Sequence, residues 1–383
     1  MKNIAIFCDG TWQNLSQRFP TNVTRLARAV TPFGRVDGHD TTQVVYYDDG
    51  VGVGNGVLDH AQRLLGGAFG EGLDGKVARA YEFLCLNYTP GDRIFIFGFS
   101  RGAYTARSLG GLLRRAWVLK RQNIGLIEQA IDIYRNHSRD AVETAVFRKN
   151  NCYDAALFLR PRAIDPKAAT ADNATADRPT AAIQYIGVWD TVGSLGVPEG
   201  LPFADRLNDK YRFHDQSLSR FVVSARHAVA IDERRSSFAP ALWDNIAELN
   251  ANAGAGIDSC VPGDRPYQQT WFPGHHGSVG GGEDDGGISI LPLLWIAEGA
   301  IAAGLEFDDD LLAIYHDAAD AVAPFPATPR TFGDIVLQAT GQSDRTGPGA
   351  ADEISDAAVR RWRGLATYRP QPLQRWAADL DHG

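Results

Sequence analysis

The chain has 383 residues, 44% of them hydrophobic, and a formal net charge of −8. That length allows one large α/β domain with insertions or two smaller domains. The acidic balance argues against nucleic acid as a main partner, because phosphate binding needs clustered Lys and Arg, and no apolar run approaches the length of a membrane span.

No signal peptide is visible, since Met1-Lys2-Asn3 leads straight into an apolar strand. The four cysteines (Cys8, Cys85, Cys152, Cys260) are scattered and form no C-x-x-C pair. A reduced cytoplasmic protein is the expectation, although the even count leaves a bridge open.

Ile4 to Cys8 reads as a first buried strand ending in Asp9-Gly10-Thr11. Open α/β sheets place ligand-binding groups in such loops at strand carboxyl ends. A short helix follows over 22–29 and a second strand over 43–47. The segment 48–75 is crowded with glycine and reads as a long loop, either shaping a pocket mouth or simply floppy, with a short helix near 60–65. Lys76 to Leu86 is helical. Pro90-Gly91-Asp92 is a turn, and Arg93 to Phe97 is β-branched and aromatic, as in a buried parallel strand.

Next comes Gly98-Phe99-Ser100-Arg101-Gly102, a G-x-S-x-G pentapeptide. Ala103, Ala106, Leu109, Leu113 and Ala116 then recur at three- and four-residue spacing and predict a helix. The pentapeptide alone is a weak signal; between a strand and a helix it reads as a nucleophile elbow. The serine sits on a sharp turn, glycines let strand and helix approach, and the helix N-terminus faces the hydroxyl. The competing reading is a serine that merely caps the helix.

Two helices are predicted over 124–136 and 141–147, then an exposed Ala/Thr/Asp/Asn loop over 165–178. Ala182 to Trp189 is a strand ending at Asp190. The segment 191–213 is loop and a candidate lid, and 217–230 reads as helical. Gln268 to Phe272 is a last strand, closing on His275-His276 and the glycines 277–287, with an apolar helix over 290–303. The alternation of strand and helix implies a mostly parallel sheet with helices on both faces. The whole is read as one domain, 1–383, with cap or lid insertions around 48–75, 120–180 and 194–215.

A serine hydroxyl needs a base before it becomes nucleophilic. In α/β-hydrolases the chain order is Ser, then an acid, then His. Ser100, Asp190 and His276 follow that order, each at a strand's carboxyl end. Asp9, Asp232 and Asp285 compete for the acid, and His275 and His227 for the base. The backbone N–H of Arg101, with Gly10 or Thr11 from the first loop, suits an oxyanion hole. Asp9 is read as organising that loop. A metal phosphoesterase built on Asp9, His275 and His276 is a rival reading, but adjacent loop histidines chelate poorly and no H-E-x-x-H is present. No cofactor or metal is expected. Trp362 and Trp376 in the tail read as core anchors.

Four blocks resemble an uncharacterised α/β-hydrolase domain family that includes the phospholipase effectors of type VI secretion. They are Ile6–Asn14, Gly98–Arg107, Gly187–Gly193 and Trp271–Gly282, with Tyr368-Arg369-Pro370 also similar. The resemblance implies the triad Ser100, Asp190 and His276 and a lipid or other small ester as substrate. It also implies peripheral membrane contact, and a delivery or immunity partner if the protein is an effector exported without a signal peptide. Ser278 and Glu283 stand where the family usually has an aspartate and a tyrosine. That departure motivates another reading, an idle scaffold that binds partners.

Overall fold

Alternation along the first strand sets the layers. In β1 (Lys2–Cys8) every residue from Asn3 on is buried. Ile4, Ile6 and Cys8 pack on one face, and Ala5 and Phe7 on the other. Strand β4 (Arg93–Phe99) repeats this, with Ile94 and Ile96 on the first face and Phe95, Phe97 and Phe99 on the second. Side chains of period two send an apolar run to both sides, as a sheet covered twice requires. Each fully buried Ile or Phe here contributes roughly 1.5–3 kcal/mol.

The computed structural model describes residues 1–10, 16–36, 38–49, 68–153, 183–192, 217–253, 265–326 and 342–382. Seven strands form one sheet in the order β2-β3-β1-β4-β5-β6-β7. Besides β1 and β4 these are β2 (Phe33–Val36), β3 (His39–Asp48), β5 (Ile183–Trp189), β6 (Val222–Ala230) and β7 (Tyr267–Phe272). All neighbours run parallel except β2, which pairs antiparallel with β3 at one edge.

Helices α1 (Asn22–Ala29), α2 (Ala68–Asn87) and α3 (Arg101–Ala116) follow β1, β3 and β4. Thr21 caps α1 by accepting from the Thr24 N–H at 3.1 Å. The first face of the sheet is covered by α2 and α3, through Tyr81, Leu84, Ala103, Ala106 and Leu109. Helix α1 packs on the second face. Helices α4 (Ile127–Asn136) and α5 (Val142–Asn151) extend the first layer. After β6 and β7 come α6 (Ile246–Asn252), α7 (His276–Gly280) and α8 (Ile290–Ala302). Ile296, Ala297 and Ala300 of α8 complete the second layer. A third cluster joins Val229, Ile231 and Trp271 to the C-terminal Ala358, Trp362, Tyr368 and Leu373. Trp362 is a core anchor, as expected from sequence; Trp376 is only partly buried.

Several elements differ from the sequence reading, and three of them bear on the sheet and its first layer. The segment expected as a helix over 217–230 is largely β6, a strand. It lies between β5 and β7, and Ser224, Arg226 and His227 interrupt its apolar residues, so no clean strand period stands out in it. The edge strand β2 was not anticipated; its Phe33 is exposed and Gly34 breaks the apolar run. Helix α2 begins at Ala68, well before Lys76, and takes in Gly70, Gly72 and Gly75. Each glycine costs about 1 kcal/mol relative to Ala in a helix, so a local reading starts the helix too late. Of the three expected insertions, the part of 120–180 up to residue 153 is helical. Most of the other two, including the helix near 60–65 and the candidate lid, lies outside the described residues.

Candidate active site

Strands β4 and β5 end in register, with Phe99 beside Trp189. The next residue on each strand is Ser100 and Asp190. Neighbouring strands lie about 4.8 Å apart, so the hydroxyl and the carboxylate start from adjacent strand ends.

Ser100 has φ 58° and ψ −124°, a left-handed conformation for a residue with a Cβ. Such a position costs on the order of 1–3 kcal/mol and persists only where its surroundings hold it. Its N–H donates to the Trp189 carbonyl at 3.1 Å, and its carbonyl accepts from the Tyr104 N–H at 3.3 Å. The flanking glycines make the turn possible. A Cβ at Gly98 would lie 2.4 Å from the Gly102 carbonyl oxygen, and one at Gly102 would lie 2.1 Å from that of Cys8. Both obstacles are backbone and cannot swing aside. Asp190 also has a positive φ, 37°, and its N–H donates to the Ala228 carbonyl at 2.7 Å.

His276 arrives from β7 by a turn at Gly274, where φ is +112°. Asp232 clips this turn. Its carboxylate accepts from the Gly274 N–H at 2.6 Å, and its own N–H donates to the Gly274 carbonyl at 3.1 Å. Tyr368 donates its hydroxyl to the same carboxylate at 2.9 Å. The His276 N–H donates to Glu233 Oε2 at 3.2 Å. Helix α7 then presses on Phe99: a Cβ at Gly280 would lie 2.0 Å from that ring. The imidazole is held between Phe99, with centroids 4.6 Å apart, and Phe238, edge-on at 4.7 Å.

The three expected residues therefore meet. Ser100 Oγ is 2.8 Å from His276 Nε2, and His276 Nδ1 is 2.6 Å from Asp190 Oδ2. All three are buried. With Asp190 ionised, the Nδ1–H donates to it, and Nε2 accepts from the serine hydroxyl. Burial by itself pushes the Asp190 carboxyl up. The Arg345 charge and the hydrogen bonds from His276 and Arg345 outweigh that and hold it well below the usual carboxylate range.

The competing residues have other partners. Asp9 accepts from the Gly10 N–H and from the hydroxyls of Thr21, Thr24 and Tyr47 at 2.5–2.9 Å. Burial pushes its carboxyl up against those bonds. Asp285 accepts from the Gly287 N–H. His275 Nδ1 meets the Asp232 carbonyl at 2.9 Å. His227 accepts from the Thr191 N–H and faces Gln269, and burial followed by the Arg107 charge pushes it down to about 3. Among the described residues no group of three His, Cys, Asp or Glu is arranged to hold a metal ion.

The expected oxyanion donors fare unevenly. Arg101 is the first residue of α3, directly after Ser100. Gly10 lies beside the nucleophile, since a Cβ there would come 3.5 Å from Ser100 Cβ. Its N–H, however, donates to Asp9 Oδ1 at 2.7 Å and is turned to that carboxylate, contrary to the expectation. Thr11 lies outside the described residues.

Three neighbours escaped the sequence reading. Arg345 forks onto Asp190, Glu233 receives the His276 N–H, and Phe238 walls the imidazole. A signal existed for two of them. Once β6 is read as a strand, Asp232 to Phe238 follow its carboxyl end, where site residues belong. Arg345 carried none.

Glu233 yields a pH prediction. Burial pushes its carboxyl up, but the hydrogen bond and charge of Arg235 override this and bring it to about 2. A depressed carboxyl stabilises the fold above its unfolded pKa, about 4.3, and that contribution fades as pH falls toward 2. Asp9, Asp232 and Glu283 have raised carboxyls and act in the opposite sense. The expected result is that Glu233→Gln lowers stability at neutral pH and narrows its gap to wild type between about pH 4 and 2. Urea unfolding at pH 7 and pH 3 measures this; a gap that widens in acid would contradict it.

A family model described as the T6SS phospholipase effector Tle1-like catalytic domain matches residues 2–299. A curated protein of Saccharomyces cerevisiae (strain ATCC 204508 / S288c), Uncharacterized protein YEL023C, is 31% identical over 247 residues, covering 62% of this chain and 32% of its own length. Two solved structures are also similar. One is an uncharacterized protein from Pseudomonas aeruginosa, at 18% identity and TM-score 0.42, covering 99% of this chain and 52% of that one. The other is the Tle1 effector bound to the VgrG spike from the Type 6 secretion system, at 16% identity and TM-score 0.35, covering 73% and 51%. The chain spans about a third of the curated relative and about half of each solved chain. The family match takes in Ser100, Asp190 and His276 and stops before Arg345, and by it the chain belongs to the type VI secretion Tle1-like phospholipase effector catalytic-domain family.

Proposed function

We propose that the chain is a serine hydrolase of α/β-hydrolase type that cleaves a carboxylic ester of a phospholipid or lipid-like molecule. The reading is carried by the chain of contacts Ser100–His276–Asp190, at 2.8 and 2.6 Å. His276 Nε2 takes the serine proton as Oγ attacks the ester carbonyl carbon. Asp190 holds the imidazole in the tautomer that leaves Nε2 open, and stabilises the imidazolium. The imidazolium then protonates the leaving alcohol, giving an acyl-Ser100 ester. Water, deprotonated by His276, attacks that ester and releases the acid. General-base help of this kind is worth about two to four orders of magnitude.

The tetrahedral oxyanion needs donors preset for it. The Arg101 N–H at the start of α3 supplies one, and Thr11 the second in place of the engaged Gly10 N–H. Each such donor is worth about 2.7–4 kcal/mol. Family membership supports a lipid ester as substrate, contact with a membrane surface, and export by a contact-dependent system with delivery and immunity partners.

The test is a fluorophosphonate probe followed by peptide mass spectrometry, together with a phospholipid panel read for released fatty acid. The expected result is one adduct, on Ser100, and release of a fatty acid from at least one phospholipid. No adduct, or an adduct elsewhere, would remove the serine-hydrolase reading; an adduct with turnover of soluble esters alone would remove only the lipid.

A further inference from the structure

Asp190 accepts four hydrogen bonds with its two oxygens. Oδ1 accepts from the Ala230 N–H at 2.9 Å and from Arg345 Nη1 at 2.6 Å. Oδ2 accepts from Arg345 Nη2 at 3.0 Å and from His276 Nδ1 at 2.6 Å. The guanidinium thus forks onto the carboxylate edge-on, a geometry that fixes its plane. The same two nitrogens reach further. Nη1 donates to the Ala230 carbonyl at 2.8 Å, and Nη2 to the Phe238 carbonyl at 2.7 Å. One buried side chain therefore ties the acid to the end of β6 and to the turn that carries Phe238 against the imidazole.

We propose that Arg345 is a positioning residue of this active site: it orients the Asp190 carboxylate toward His276 and, by its charge, limits how strongly that carboxylate supports the imidazolium. The proposal rests on the serine-hydrolase reading and deepens it. It also extends the site beyond the family match, which ends at residue 299. The C-terminal segment thus completes the machinery of a site whose three main residues all precede it.

The electrostatic half follows from a shared atom. His276 and Arg345 both donate to Asp190 Oδ2. An imidazolium formed during turnover stands next to a carboxylate already paired with a cation. Of the other charged groups near the imidazole, Glu233 is paired with Arg235, whose guanidinium lies 3.9 Å over the Phe238 ring. Glu283 reaches the first turn of α7, since a Cβ on Gly277 would lie 2.5 Å from its carboxyl oxygen, and burial pushes that carboxyl up. His227, behind Asp190, is held neutral. Arg345 is the cation in direct contact with the acid.

Two variants of the full chain separate the two halves. Arg345→Met keeps the bulk and removes both fork and charge. Arg345→Lys keeps a charge without the fork. The readout is kcat/KM for a short-chain p-nitrophenyl ester across pH 4–9, with Ser100→Ala as the control. Arg345→Met is expected to lower the plateau about 10²-fold, through kcat with KM unchanged, as for a misplaced catalytic group. Its acid limb moves up by about one pH unit, because a neighbouring cation has gone. Arg345→Lys loses rate while its acid limb stays where wild type has it. An unmoved acid limb in Arg345→Met, or a plateau within twofold of wild type, overturns the proposal. Should thermal melting show Arg345→Met unfolded, Arg345→Lys decides alone, and wild-type kcat/KM in that variant overturns it. A wild-type protein with no Ser100-dependent turnover marks the failure of the serine-hydrolase reading itself.

Discussion

Ser100→Ala is expected to lower kcat for ester hydrolysis by on the order of 10⁶, with KM little changed and the fold intact. The hydroxyl oxygen is the only heavy atom removed, and in the proposed mechanism it makes the first covalent bond. His276 and Asp190 stay in place but have no alcohol to activate. What remains is the catalysis that oxyanion donors and binding give to a direct attack by water, about 10³–10⁴-fold over solution. Ala must also occupy φ 58°, as Ser100 already does. The backbone strain is therefore common to both proteins, and thermal melting should place them together. Turnover of a p-nitrophenyl ester, with loss of the fluorophosphonate adduct, measures the effect. A loss smaller than tenfold would mean that the bond-forming nucleophile lies elsewhere.

Asp190→Asn is expected to reduce kcat by about 10⁴, and here it should also destabilise the fold. Asp190 is met by four donors, two at each oxygen. An amide offers one acceptor oxygen and one NH₂. With the NH₂ toward His276, the imidazole must turn its lone pair to Nδ1 and protonate Nε2, the wrong tautomer to accept from Ser100. With the NH₂ turned the other way, it faces the Ala230 N–H and Arg345 Nη1. In either orientation the buried Arg345 cation loses its counter-charge. Breaking a buried ion pair by removing one partner costs about 3–5 kcal/mol. Activity and stability should fall together, unlike in Ser100→Ala. Chemical denaturation with parallel kinetics measures both, and an Asp190→Asn protein as stable as wild type would show that Arg345 is satisfied by something other than this carboxylate.

The contrast between these variants tracks what each residue's neighbours along the chain reveal. The Ser100 turn was legible because its requirements are local. A strand of Ile and Phe must end, a helix of Ala and Leu must begin, and glycines at 98 and 102 must give way to backbone oxygens at 2.4 and 2.1 Å. Strand β6 was misread for the complementary reason. Its residues 222–230 mix Val and Ala with Ser224, Arg226 and His227, so neither a period of two nor one of 3.6 stands out. What makes them a strand is the pair of neighbours, β5 and β7, that hydrogen-bond to both edges. With β6 read as helix, the loop carrying Glu233 and Phe238 could not be assigned to the sheet rim. Gly10 failed more narrowly: the glycine was rightly placed beside Ser100, but the direction of its N–H is set by the Asp9 side chain.

By itself the sequence determined most of the alternation of strands and helices, the sharp turn at Ser100, and the chain order of Ser100, Asp190 and His276, because short-range sterics and hydrophobic period encode the local elements. Tertiary structure alone decided which charges surround the acid. Arg345 lies 155 residues beyond Asp190, in a stretch with no periodicity of its own. A buried ion pair is specified by two chain segments packing until water is excluded between them, and no window of residues read alone contains that condition.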